Sequence, residues 1–172
     1  MSDYSIYTDG ACSWNPWPWG RGAVVLSWWV SKDVIHLSGK ANPSTNNQME
    51  LTAVIRALEW ICQKNDIVIG LLQDYGGLFG DISSQNNTNN QIFIDIYLDS
   101  TYVKHGIQER IHTRKRNGRK TTGRQLVKNI ELRQELDILV WLFTIHRHRV
   151  KWHNGNKYNE MADRLATGRW VK

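Results

Sequence analysis

Hydrophobic residues recur along the chain with two different periods, and the alternation between the two predicts a mixed α/β protein. Runs rich in β-branched and aromatic residues predict strands, at residues 5–9, 23–30, 34–37, 92–98 and 143–150. Apolar residues spaced three or four positions apart predict helices, at about residues 45–64, 102–111, 126–142 and 158–167. This order of elements predicts a mixed sheet flanked by helices.

A long polar stretch interrupts the pattern between the first helix and the fourth strand. Residues 67–72 fit either a strand or the start of a loop, whereas residues 73–91 are rich in glycine and asparagine. That composition is typical of an exposed loop. We therefore predict one domain over residues 1–172, with an inserted flexible loop at about 73–91.

Composition narrows the class of protein. A chain of 172 residues with 41% hydrophobic and 22% charged residues is an ordinary globular domain. It has no apolar run long enough for a membrane span and no signal-peptide pattern at its start. We therefore expect a cytoplasmic protein with no membrane partner.

Cys12 and Cys62 lack metal-ligand spacing, and we expect both to be small buried residues.

The positive charge is concentrated in one segment. Between Lys104 and Arg124 eight cations face one anion, Glu109, so this segment carries +7 and the rest of the chain, out of a total of +6, carries −1. A charge run is usually a solvated helix face. Because a single segment holds the whole excess here, we favour a phosphate-binding element.

Four acidic residues stand out by their positions: Asp9 at the end of the first predicted strand, Glu50 in the first turn of the first helix, Asp99 at the end of the fourth strand, and Asp163 in the last helix. Each alone has an ordinary explanation, in a turn or at a helix start. Together they can converge at one sheet edge, where their mutual repulsion requires compensating charge. Hard oxygen donors suit Mg²⁺ or Mn²⁺. Two such ions about 4 Å apart activate a water for phosphodiester hydrolysis. Acids beside a basic segment therefore indicate a nuclease.

Four motifs around these acids resemble type 1 ribonuclease H: residues 7–12 (YTDGAC), 45–51 (TNNQMEL), 99–103 (DSTYV) and 159–163 (NEMAD). The resemblance runs from about residue 4 to 167, apart from the insertion. It implies the ribonuclease H-like α/β fold, whose five-stranded mixed sheet begins with three antiparallel strands and continues with parallel additions. It also implies a monomeric endonuclease that cleaves the RNA strand of an RNA–DNA hybrid, leaving 5′-phosphate and 3′-hydroxyl ends.

The resemblance also implies roles for individual residues. Asp9, Glu50, Asp99 and Asp163 match the carboxylates that hold two Mg²⁺ ions, for which Mn²⁺ can substitute. His153 matches a loop histidine that moves protons or assists product release. A further group matches positions that contact the hybrid or its DNA backbone: Asn15, Thr45, Asn46, Gln48, and in the basic segment Lys104, Arg114, Lys115, Arg116 and Lys120.

The sequence departs from the family in an ordered way. Tryptophan stands where the family has glycine, at Trp14, Trp17, Trp19 and Trp152. Arginine stands where it often has tryptophan, at Arg21, Arg110, Arg114, Arg119, Arg133, Arg147 and Arg149. Each change requires only a different first base in a codon that ends in GG. Our hypothesis is therefore that the sequence has been altered systematically. We expect buried charge at Arg133 and on one face of the late strand at Arg147 and Arg149.

Two alternatives differ from the hybrid-specific nuclease. One is a catalytically weakened hybrid-binding module of the same fold, which the altered first loop and Trp152 favour. The other is a different nuclease of the same superfold, such as a junction resolvase or a transposase core. The motif at residues 45–50 and the basic segment favour ribonuclease H over the second alternative.

Overall fold

The computed structural model describes most of the chain, in the ranges 2–13, 19–28, 34–41, 44–67, 91–98, 100–108, 128–149 and 156–169. The strands are β1 (Tyr4–Ser13), β2 (Trp19–Trp28), β3 (Val34–Ala41), β4 (Phe93–Leu98) and β5 (Thr144–Arg149). The helices are α1 (Asn46–Lys64), α2 (Thr101–Gln108), α3 (Ile130–Trp141) and α4 (Lys157–Thr167). The order of elements agrees with the prediction. The predicted insertion at 73–91 lies outside the described residues except for its last residue, Gln91.

The five strands form one mixed sheet in the order β3-β2-β1-β4-β5. β1, β2 and β3 pair antiparallel, whereas β4 pairs parallel with both β1 and β5. The predicted sheet, with three antiparallel strands followed by parallel additions, is confirmed. Because β1 and β4 run in the same direction, their carboxyl ends lie at the same edge.

The first strand is longer than its hydrophobic pattern predicts. β1 continues to Ser13 because its pairing with β2 extends that far, and Asp9 lies opposite Ala23 within that pairing. The parallel register with β4, in contrast, ends where Tyr7 meets Tyr97. The prediction that Asp9 ends the first strand is therefore wrong. Asp9 lies within β1, two residues after the last position of β1 that pairs with β4.

The two faces of the sheet have different cores. Successive side chains of a strand point to opposite faces, so Ile6 packs in the larger cluster with α1 while Tyr7 packs in a smaller cluster with α4. The larger cluster is formed by fully buried aliphatic side chains from the sheet and from helices α1 and α3, among them Leu26, Leu51, Ile55, Leu58, Ile61, Ile94, Ile96, Leu136 and Leu139. This face of the sheet supplies most of the hydrophobic stabilisation.

The arginines at positions where the resemblance implies tryptophan have different environments. Arg147 and Arg149 are exposed, so the prediction of buried charge on β5 is wrong at both positions. β5 is an edge strand, and its last four residues, 146–149, are all exposed, whichever face of the sheet they point to. Arg133 is buried, as predicted, with 8% of its surface exposed.

The two cysteines also differ. Cys62 is fully buried within α1, and burial raises the pKa of its thiol to about 11, so it stays protonated at neutral pH. Cys12 is only partly buried, contrary to expectation, and its thiol donates to the carbonyl of Ser44 at 3.2 Å. Within the described part of the chain, no helix is long and apolar enough to cross a membrane.

Candidate active site

Glycines in the β1–β2 hairpin allow the sheet to touch the start of α1. A Cβ added at Gly10 would lie 2.8 Å from Cγ of Glu50 and closer still to the Glu50 backbone nitrogen. Gly22, opposite Gly10 in the hairpin, would place a Cβ 2.9 Å from the Met49 carbonyl oxygen. Real Cβ atoms do not approach other atoms this closely, so only glycine permits this contact. The contact places Glu50 beside the residue that follows Asp9.

The start of α1 is fixed by reciprocal hydrogen bonds between its N-cap and its third residue. Thr45 Oγ1 accepts the backbone N–H of Gln48 at 3.3 Å, while Gln48 Oε1 accepts the backbone N–H of Thr45 at 2.9 Å. This is a capping box. Asn46 lies in the same turn, and its Oδ1 is buried with no hydrogen-bond partner among the described residues. Three of the residues predicted to contact the substrate therefore share one turn.

The sequence pattern predicted Glu50 in the first turn of α1, and this prediction is wrong. The helix begins at Asn46, so Glu50 is its fifth residue, and the first turn contains no acid. Helix-dipole stabilisation falls off within the first turn and does not explain this position. The Glu50 carboxylate instead accepts a hydrogen bond at 2.5 Å from the hydroxyl of Ser100, at the junction of β4 and α2. This bond connects α1 to the carboxyl end of β4.

Asp9 and Asp163 lie on the face of the sheet that packs against α4, opposite the face that packs against α1. Asp9 is two positions after Tyr7 in β1, so both side chains point to the same face of the sheet. Tyr7 packs with Ala162 of α4, and Ala162 directly precedes Asp163. The backbone N–H of Gly10 donates to Asp9 Oδ1 at 2.7 Å and orients that carboxylate. Asn156 is the N-cap of α4, and its Oδ1 accepts two backbone N–H groups of the first turn. Asp9 and Asp163 are thus carried by elements that pack directly on each other.

A row of rings supports this face. Tyr7 stacks on Tyr97 with centroids 4.5 Å apart, and Tyr158 of α4 lies 5.3 Å from Tyr7. Burial is the main cause of the raised pKa of the Tyr7 phenol, which is therefore neutral at neutral pH. The row packs α4 against β1 and β4 without adding charge next to the acids.

The remaining predicted site residues divide into two groups. Lys104 lies in the first turn of α2, where its backbone N–H donates to the carbonyl of Ser100. The others lie outside the described residues: Asp99, His153, Asn15, Arg114, Lys115, Arg116 and Lys120. Within the described ranges, which omit Asp99, no three histidine, cysteine or acidic side chains are grouped closely enough to hold a metal ion.

Two positions at the candidate site were missed by reading the sequence. Ser100 directly follows a predicted strand-end acid and precedes a predicted helix, a position typical of an N-cap, and this pattern could have identified it. Gly10 directly follows Asp9, but nothing in the local pattern shows that α1 lies against it. That contact depends on the tertiary arrangement alone.

Comparisons with known proteins match nearly the whole chain. The family model described as RNase H matches residues 1–74 and 80–170. The chain is 42% identical over 167 residues to the ribonuclease H of Anaplasma marginale, covering 97% of this chain and 90% of that protein. It is 40% identical over 167 residues to the ribonuclease H of Wolbachia sp. subsp. Drosophila simulans, covering 95% and 92%.

Solved structures share the fold. LC9-RNase H1, described as a type 1 RNase H with the type 2 active-site motif, matches 96% of this chain and 70% of its own, with a TM-score of 0.67 and 21% identity. The foamy viral protease-reverse transcriptase in complex with an RNA/DNA hybrid matches 97% of this chain and 20% of its own, with a TM-score of 0.63 and 18% identity. At these identities the structural likeness establishes the fold alone.

Proposed function

Because the chain belongs to the ribonuclease H family, we propose that it is an endonuclease that hydrolyses the RNA strand of RNA–DNA hybrids with divalent metal ions, leaving 5′-phosphate and 3′-hydroxyl ends. The observation that carries the proposal is the contact of Gly10 with Glu50, which brings the Asp9 segment of β1 against the acid of α1. A foamy viral protein of the same fold is solved in complex with an RNA/DNA hybrid, which supports this class of substrate.

The donor set fits Mg²⁺, with Mn²⁺ as a substitute. Asp9, Glu50, Asp99 and Asp163 offer only carboxylate oxygens, the ligands that these hard cations prefer. Two bound ions would lower the pKa of a water and stabilise the leaving oxygen of the phosphodiester. The Gly10 N–H and the Ser100 hydroxyl orient two of these carboxylates before any metal binds.

Substrate contacts follow from the same elements. The buried Oδ1 of Asn46 lacks a partner within the described residues, so turning this amide toward a ligand that donates to it breaks no hydrogen bond of Oδ1 there. A sugar 2′-hydroxyl is a donor of this kind, and it distinguishes RNA from DNA. The proposal assigns Thr45 and Gln48 to the same contact region, Asn15 to the hybrid, and His153 to proton movement or product release. Lys104 and the basic segment are assigned to phosphate. The proposal also includes a monomeric state and a cytoplasmic location.

The test is cleavage of a labelled RNA–DNA hybrid in Mg²⁺, beside RNA–RNA and DNA–DNA duplexes. We expect internal cuts in the RNA strand of the hybrid only, and a loss of at least about a hundredfold for Asp9→Asn, because each metal contact supplies several kcal/mol in the transition state. End-group analysis of the products checks the 5′-phosphate. A folded wild-type protein that binds the hybrid tightly without cutting it would instead support the binding module.

A further inference from the structure

One hydroxyl at the β4–α2 junction has two partners on different elements. Ser100 Oγ donates to Glu50 Oε2 at 2.5 Å and accepts the backbone N–H of Val103 at 3.3 Å. The Ser100 carbonyl also accepts the backbone N–H of Lys104 at 3.1 Å. Ser100 therefore caps the start of α2 and also contacts an acid of α1, fifty positions away in sequence.

A serine hydroxyl has a single proton to donate. Because the Val103 N–H occupies an acceptor site of Oγ, the proton points away from α2 and toward Glu50. Accepting one hydrogen bond also strengthens the hydroxyl as a donor. Both Ser100 and Glu50 are partly buried, so water competes less with this bond than at the surface.

The bond restricts a side chain that otherwise has several rotamers. Glutamate has three side-chain torsions, and holding its carboxylate in one orientation has an entropic cost. Hydrogen bonds from neighbouring groups hold the carboxylate in one orientation before a metal binds, and their loss is known to lower metal affinity. A carboxylate that accepts one hydrogen bond still has lone pairs for a cation.

We propose that Ser100 is a positioning residue, which holds the Glu50 carboxylate in its metal-binding orientation and ties that orientation to the start of α2. This inference rests on the proposed function, since it concerns the metal ligands of that site. The same helix carries Lys104, so the bond also fixes a predicted phosphate contact relative to the acid.

Three substitutions separate positioning from helix capping. Ser100→Ala removes both the donor to Glu50 and the cap. Ser100→Gly removes the donor but remains a good N-cap residue, and Ser100→Thr retains both groups. Mg²⁺ binding is measured by calorimetry, and hybrid cleavage is measured over a range of Mg²⁺ concentrations. Urea unfolding of each variant reports the capping effect separately.

We expect the alanine and glycine variants to bind Mg²⁺ about tenfold more weakly and to need about tenfold more Mg²⁺ for half-maximal cleavage. Their maximal rates at saturating Mg²⁺ should stay near that of the wild type, and the threonine variant should behave as wild type. The two weak binders should differ in stability, with alanine lower. Mg²⁺ dependence unchanged in both variants, or following stability instead of the missing donor, would overturn the positioning role.

The outcomes also separate this inference from the proposed function. A wild-type protein that cleaves the hybrid, with alanine and glycine variants of equal Mg²⁺ affinity, overturns the positioning role alone. A wild-type protein that neither binds Mg²⁺ nor cleaves the hybrid overturns both. Weaker calorimetric binding in both variants of a protein that does not cleave supports Ser100 and overturns the nuclease.

Discussion

At the scale of single residues, Gly10 sets the distance between the sheet and α1. Any Cβ at this position would overlap the backbone of Met49 and the backbone and side chain of Glu50. These are not flexible chain ends that can turn away. The only way to accommodate a methyl group is to move the helix start away from β1, and Glu50 with it.

We expect Gly10→Ala to lower the free energy of unfolding by about 1–3 kcal/mol, the usual cost of overpacking. Cleavage should fall further, by about a hundredfold, because a displacement of about 1 Å is enough to disrupt a catalytic geometry. Gly39→Ala is the matched control, since a Cβ at Gly39 meets nothing within 4 Å. Urea unfolding and the hybrid cleavage assay measure both. Equal behaviour of the two variants would show that the close approach is unimportant.

Arg133 is a second residue whose surroundings have a measurable consequence. Its guanidinium lies 4.4 Å from the Tyr102 ring centroid, and its Nε donates to the Tyr102 hydroxyl at 3.4 Å. Its Nη1 is buried without a partner among the described residues. The Tyr102 hydroxyl has another donor, Asn129 Nδ2 at 2.9 Å.

Arg133→Met should therefore raise the free energy of unfolding by about 1 kcal/mol, because it removes a buried charge while the unbranched chain keeps its packing. Arg164→Met, at an exposed position of α4, is the control and should have little effect. Thermal and urea unfolding measure both. A decrease for Arg133→Met would mean that the cation–π contact with Tyr102 outweighs the cost of burial. An increase for Arg133→Trp as well would support the hypothesis of a systematic alteration at this position.

At the scale of elements, β4 and β5 are joined by a polar cluster on the same face of the sheet as Tyr97. Asp95 accepts a hydrogen bond from the Ser2 hydroxyl at 2.6 Å and lies 2.8 Å from His148 Nε2 and 3.7 Å from His146 Nδ1. Burial alone would raise the pKa of Asp95. The hydrogen bonds from Ser2 and His148 and the charges of the two histidines outweigh it, so the pKa lies below its ordinary value.

The direction of this shift determines the pH at which the cluster contributes. The folded protein binds the Asp95 proton less tightly than the unfolded chain does, so the stabilisation is present above the ordinary pKa of 3.8 and is lost as the pH falls through the lowered value. We expect Asp95→Asn to lower stability near pH 6 by less than about 1 kcal/mol, because the pair is partly exposed. The difference from wild type should vanish in acid.

Unfolding in urea between pH 2 and 7 measures this difference. Asp66→Asn, at an exposed position after α1, is the matched control for replacing one aspartate by asparagine. A difference between wild type and Asp95→Asn that persists at pH 2 would indicate that the aspartate acts through packing and not through its charge.

The elements themselves could be read from the sequence, but their mutual positions could not. Periodicity identified α1 and the strands because each buries one face or alternates. It did not show that β1 extends past Asp9, since that length is set by pairing with β2. It did not show that Arg147 and Arg149 are exposed, because a strand's own pattern does not reveal that it lies at the sheet edge.

The same distinction applies to the candidate site. The four acids were found because their motifs are contiguous in sequence, and the capping box at Thr45 and Gln48 has a recognisable spacing. The Ser100–Glu50 hydrogen bond and the contact of Gly10 with α1 join segments far apart in the chain. Such contacts are properties of the folded arrangement and have no local signature.

At the scale of the whole molecule, the uneven charge distribution predicts how binding responds to salt. The segment from Lys104 to Arg124 carries +7, and the rest of the chain is nearly neutral. Each phosphate contact releases counterions, so binding weakens with salt in proportion to the number of contacts. Replacing Arg114, Lys115 and Lys120 by glutamine should therefore make the plot of log binding constant against log salt shallower by about 2–3.

The control replaces Arg56 and Lys64, two exposed cations of α1, by glutamine and should leave the slope unchanged. Fluorescence anisotropy with an uncut hybrid in Ca²⁺, at several salt concentrations, measures both. Equal slopes for the two sets would show that the basic segment is a solvated surface and not a phosphate-binding element.

The parallel contact of β1 with β4 has a consequence for how the protein folds. Tyr4 lies opposite Ile94, so the centre of the sheet joins segments ninety positions apart, whereas β1, β2 and β3 are connected by short hairpins. Closing a long loop has an entropic cost that precedes any gain from pairing, and proteins rich in such contacts fold slowly. We expect the β1–β3 meander to form before β4 docks. Pulsed hydrogen exchange during refolding should then protect the amides of β2 before those of β4. In the interval between the two events, the unpaired edge of β1 is the part of the molecule most prone to aggregate.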